Sequence, residues 1–143
     1  MEPIEFLELA EELVERKTPC GCRTSIGRAY YGAFNVAGKL LRDAGLTVPE
    51  GPAAHQKIWF DFINCGIQEL QEAGSELSEL HGQRIEADYR MSRLAPDTYK
   101  HAKYWVTGAR EHIETIKRYF EPLARAGTVA TIIDYRSRAG TPL

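Results

Sequence analysis

At 143 residues the chain can bury a core of its own and is too short for two ordinary domains, so one folded unit is expected. A hydrophobic share of 43% and a charged share of 27% exclude a disordered chain. Eighteen Lys and Arg against twenty Asp and Glu leave a formal net charge of -2, which excludes a global positive field for nucleic acid; any such site must be a local patch.

The start, Met1-Glu2-Pro3-Ile4-Glu5, has neither the basic residues nor the apolar run of a signal peptide. No stretch approaches the roughly 18 apolar residues of a membrane span, so a cytoplasmic protein with no membrane partner is expected. Cys20, Cys22 and Cys65 are an odd number, and the Cys-Gly-Cys pair is spaced for neither a disulfide framework nor a zinc knuckle, so free thiols are expected.

In chain order, Pro3 to Lys17 places Phe6, Leu7, Ala10, Leu13 and Val14 on one face of a helix. Thr18-Pro19-Cys20-Gly21 then reads as a break. A second helix is predicted from Arg23 or Thr24 to Ala44, with Gly45 as its stop. Leu46 to Pro52 reads as a loop, and a third helix runs from Ala53 through Ile63 to a stop near Cys65-Gly66. In a fourth, Ile67, Leu70, Leu77, Leu80 and Ile85 recur at mostly helical spacing, with Gly74 and Gly82 as weak points. After Pro96, Asp97 or Thr98 caps a long helix whose Trp105, Ala109, Ile113, Ile116 and Phe120 step by three and four, ending near Phe120 because Pro122 disrupts continuation. Residues 1–121 thus read as an all-α, antiparallel four- or five-helix bundle, and residues 122–143 as a tail, either a packed arm or partly disordered.

Chemistry concentrates in two places. On the second helix, Ile26, Tyr30, Ala33, Phe34, Ala37 and Leu41 share a core face, while Thr24, Arg28, Tyr31, Gly32 and Asn35 share the opposite one. Arg28 and Asn35 are two turns, roughly 10 Å, apart, with Gly32 as a notch between them. Gly27, Gly32 and Gly38 each weaken an isolated helix by about 1 kcal/mol, which close packing of another helix would offset. This polar face is either a binding notch or an intramolecular contact in which Arg28 meets a carboxylate. On the fourth helix, Leu77, His81, Arg84 and Asp88 share a face if the helix continues through Gly82. There His81 could move protons, Arg84 could hold phosphate and Asp88 could orient either; the alternative is an i, i+4 Arg84 to Asp88 ion pair with an incidental His. His55, His101 and His112 have no metal spacing, and no phosphate-binding Gly-rich loop or Gly-x-Ser-x-Gly elbow occurs, so neither a cofactor nor a metal is expected.

Through Arg28-Ala29-Tyr30-Tyr31-Gly32-Ala33-Phe34-Asn35-Val36-Ala37, then Leu80 and Arg84-Ile85-Glu86-Ala87-Asp88-Tyr89, the chain resembles the HEPN domain family over about Glu5 to Tyr119. The resemblance implies a helical bundle that often dimerises. In many members it implies a metal-independent ribonuclease, and in others a nucleic-acid or nucleotide-binding module; several are encoded with a minimal nucleotidyltransferase as toxin and antitoxin. The nuclease pattern is Arg, four to six residues, then His, and no Arg here meets it. Arg28 keeps the frame to Asn35, but an amide cannot act as a general base.

The leading expectation is therefore a homodimeric binding or interaction module for nucleic acid, nucleotide or a partner protein, using Arg28, Tyr31, Asn35, Arg84 and Asp88. The rival is a ribonuclease in which His81 works with Arg84 or Arg28. A third reading makes the Arg28 face a dimer seam in a larger assembly.

Overall fold

The computed structural model describes residues 1–143, and every regular element is helical. Six α-helices follow one another: α1 (Ile4–Val14), α2 (Pro19–Asp43), α3 (Ala53–Ile63), α4 (Gln68–Tyr89), α5 (Tyr99–Tyr119) and α6 (Pro122–Ala139), with a 3-10 turn at Ala95–Asp97. No helix is long and apolar enough to cross a membrane.

α2 packs against α1, α3, α4 and α5, which places the core on more than one of its faces. Ile26, Tyr30, Ala33, Ala37 and Leu41 are fully buried as the periodicity predicts, whereas Phe34 is half-buried. The opposite face is not free. A Cβ at Gly32 would stand 2.8 Å from the backbone nitrogen of Leu7, so α1 lies directly on that glycine and fills the expected notch. Leu7, Ala10 and Val14 bury completely as a result.

α2 also begins four or five residues earlier than the sequence reading places it. Thr18 is extended, as a residue before proline prefers, and its Oγ1 accepts a hydrogen bond from the Gly21 amide at 3.1 Å. Pro19 then occupies the first turn, where its missing N–H leaves nothing unsatisfied. Gly74 and Gly82 do not interrupt α4. Of the two candidate caps for α5, Thr98 does the work, its Oγ1 accepting from the His101 amide at 3.4 Å.

The tail, for which composition leaves a packed arm and disorder both open, is α6. Pro122 starts a new helix rather than merely ending the old one. Thr128 Oγ1 donates to the Tyr119 carbonyl at 2.7 Å, and Ile132 is fully buried. Arg136 forks onto Asp61 of α3, with Nε to Oδ1 at 2.9 Å and Nη2 to Oδ2 at 2.6 Å, and its Nη1 donates to the Thr47 carbonyl at 2.8 Å. The two side chains are only 4% and 3% exposed. Removing one partner of such a pair leaves an uncompensated buried charge, which costs about 3–5 kcal/mol. Arg136→Met should therefore lower stability by that order in urea unfolding. The double variant Arg136→Met, Asp61→Asn should recover part of the loss.

Candidate functional site

The site is built where the C-terminal half of α4 lies against the N-terminal half of α2. Gly27 allows the approach: a Cβ there would stand 3.3 Å from Asp88 Oδ1. The end of α4 is held by Arg23 of α2, whose buried guanidinium donates through Nη1 to the carbonyls of Ala87 at 2.9 Å and of Glu86 and Arg90 at 3.3 Å. It also meets the Arg93 carbonyl and the Asp97 carboxylate beyond the helix. One cation thus satisfies the last carbonyls of α4, which carry the negative end of the helix dipole.

With α4 so placed, cations and rings alternate across three helices. The Arg28 guanidinium lies 5.3 Å from the Phe6 ring of α1 and 5.2 Å from the Tyr31 ring; Arg84 lies 5.0 Å from that same Tyr31 ring and 5.4 Å from Tyr89. Each contact is within the roughly 6 Å reach of cation–π attraction. Arg28 has no carboxylate at ion-pair distance, so of the two alternatives open for that residue the intramolecular ion pair does not form. Arg84 does meet Asp88, with Nε 3.0 Å from Oδ2. The two are held by charge rather than by an aligned hydrogen bond, since the buried Nε–H has no acceptor in line. Two guanidiniums therefore share one ring with one carboxylate between them, a local positive excess on a chain of net charge -2.

Behind Arg84 stand two imidazoles. His55 of α3 and His81 of α4 are stacked, their centroids 4.7 Å apart and planes 5° from parallel. Tyr30 stacks on His81 at 4.8 Å and Phe34 on His55 at 4.2 Å. Trp59 Nε1 donates to the Tyr30 hydroxyl at 3.2 Å, and that hydroxyl is 2.6 Å from His55 Nδ1. Burial, then the nearby Arg84 charge, pushes the His55 pKa below the ordinary imidazole value; burial, His55 and Arg84 do the same to His81. Burial raises the Tyr30 hydroxyl far above the usual phenol range, so it stays protonated.

Of the residues that the sequence singled out, Arg28, Tyr31, Arg84 and Asp88 come together, and His81 lies beside them. Asn35 does not join the ladder: its Nδ2 donates to the Tyr31 carbonyl one turn back on its own helix, at 2.8 Å. His55 is the residue that spacing did not select. The available signal was its separation of four from Trp59, which places both on one face of α3, but nothing local shows that Tyr30 of α2 joins them. A cleft of about 470 Å³ opens elsewhere, between α4 and α5 over Leu80, Tyr104 and Trp105, and none of Arg28, Arg84, His55 and His81 lines it. No family model, curated protein or solved structure matches the chain.

The lowered histidines set a pH dependence. The unfolded chain takes up protons near the ordinary imidazole value of 6.5 and the folded chain only at lower pH, so stability must fall as pH drops below about 6.5. The urea midpoint should decline between pH 7.5 and 5.5, and less steeply in His81→Gln. A midpoint that rises on acidification would show the imidazoles to be charged in the fold.

Proposed function

We propose that the chain is a HEPN-like antiparallel helical bundle, homodimeric and with α6 added to the bundle, that binds single-stranded nucleic acid or nucleotide without turning it over. The observation that carries this reading is the alternation of Phe6, Arg28, Tyr31, Arg84 and Tyr89. Guanidiniums neutralise phosphates and offer planes for stacking, and aromatic rings accept bases of any sequence. The resemblance in Arg28 to Ala37 and Arg84 to Tyr89 supports the same assignment, because those two segments supply four of the five ladder residues. Tyr89 is exposed and Arg28 and Tyr31 are half-buried, so the ladder has an outer side for a strand.

The measurement is fluorescence anisotropy of a labelled single-stranded RNA over a salt series. Tyr31→Ala should weaken binding by about 1–3 kcal/mol, the usual worth of one stacked base. Arg28→Ala should reduce the salt slope by about one counterion. RNA that fails to bind at low salt, or binds all variants alike, would remove the assignment.

A second reading is favoured by one feature, the nearness of His81 to Arg84. His81 carries no hydrogen bond to the protein and is held neutral, the state a general base needs, while Arg84 could stabilise a charged phosphorane. The protein would then be a metal-independent endoribonuclease, and the resemblance would make it a toxin with a minimal nucleotidyltransferase as partner. Cleavage of the same RNA in EDTA, abolished by His81→Ala and by Arg84→Ala, would establish this reading over simple binding; intact RNA would retire it.

A further inference from the structure

We infer that His55 and His81 form an oxyanion subsite beside Arg84, in which His55 is a fixed neutral donor through Nε2–H and His81 is the one group that takes up a proton when the anion binds. This rests on the reading that the Arg28 and Arg84 face receives phosphates, and it assigns the two imidazoles distinct roles within it.

Hydrogen-bond direction fixes the state of His55. The indole Nε1–H of Trp59 can only donate, so at 3.2 Å the Tyr30 oxygen accepts from it. Tyr30 is fully buried, and the other polar atom in reach of its hydroxyl is His55 Nδ1 at 2.6 Å. The phenolic proton therefore goes to Nδ1, since a buried hydroxyl left without an acceptor costs about 1–3 kcal/mol. Nδ1 is then an acceptor, and the His55 proton resides on Nε2. Protonating Nδ1 would set two hydrogens against each other across 2.6 Å and strand the Tyr30 proton, so the chain from Trp59 locks both the tautomer and the neutral state of His55.

His81 has no such lock. Neither ring nitrogen has a hydrogen-bond partner in the protein, and its half-buried ring packs against both Tyr30 and His55, with centroids at 4.8 and 4.7 Å. The groups that bear on the pair are Tyr30 from α2, Arg84 from α4 and the imidazoles themselves; Tyr31 and Asp88 meet Arg84. Burial opposes protonation of both rings, and the positive charge of Arg84 adds to it, after that of His55 in the case of His81. An oxyanion placed against Arg84 and His81 reverses that field and favours the imidazolium, which in turn strengthens the hold on the anion.

The test uses the ¹⁵N-labelled 143-residue chain and sulfate, which stays doubly charged across the range. Imidazole nitrogen spectra between pH 5 and 8 should show His55 with Nε2 protonated and Nδ1 bare throughout, while His81 alone titrates, below the ordinary value without sulfate and higher with it. The pH slope of the logarithm of sulfate affinity should not exceed about one proton. His81→Gln should abolish that slope, and Tyr30→Phe should release His55 to titrate. A His55 that carries its proton on Nδ1, or titrates with His81 in the wild type, overturns the assignment, and the wild-type spectra decide this even if Tyr30→Phe does not fold. Sulfate that leaves the titration of His81 where it was also overturns it. Sulfate that raises the titration of His81 alone while single-stranded RNA does not bind leaves the subsite standing and removes the nucleic-acid reading instead.

Discussion

The fold depends on how closely other helices can approach α2. A 25-residue helix that packs against four others must present backbone, not side chain, at its tightest crossings. Gly32 does so under Leu7 of α1, and Gly27 does so under Asp88 of α4. Each glycine costs an isolated helix about 1 kcal/mol, and the burial of Leu7, Ala10 and Val14 on one side and Leu77, Leu80 and Ala87 on the other more than offsets it. The same crossings bring Phe6, Arg28, Tyr31, Arg84 and Tyr89 into one series, so the candidate site is a by-product of the packing that α2 requires.

Arginine divides into two uses. Arg23 and Arg136 are buried and saturated, the first by the C-terminal carbonyls of α4 and Asp97, the second by Asp61 and the carbonyls near the end of the chain. These are fasteners: one sets where α4 ends, the other docks α6. Arg28 and Arg84 are bounded mainly by rings, and a guanidinium against an aromatic face keeps N–H groups for a further partner. Charge count cannot make this distinction, because both uses contribute equally to a net charge of -2.

The imidazole stack adds groups able to change charge to a surface otherwise made of permanent ones. Its rings come from α3 and α4 and its anchor from α2, so its geometry reports whether those three helices are seated together. Desolvation and the nearby Arg84 charge favour the neutral form of both rings, so the permanent charges of the face are those of the arginines and Asp88. Phe34, half-buried because it caps the stack, is where the apolar face of α2 turns into the site.

Sequence by itself determined the all-helical class, the start of α3 at Ala53, the long α5 after Pro96 and the alignment of His81, Arg84 and Asp88, because helical periodicity, capping and side-chain direction are local properties. It also marked Arg28 and Tyr31, though not their relation to Arg84, since contacts across 53 residues or more leave no trace in a 3.6-residue pattern. Only the tertiary structure decided that α1 would fill the Gly32 notch, that Asn35 would bond to its own helix, and that His55 would join His81. The start of α2 at Pro19 was in principle local, yet proline before a helix and proline against one read alike until the Thr18 cap is seen. α6 lay furthest from reach: its apolar pattern is weak, and what holds it is a buried ion pair between residues 75 positions apart, an interaction that exists only once the chain has folded.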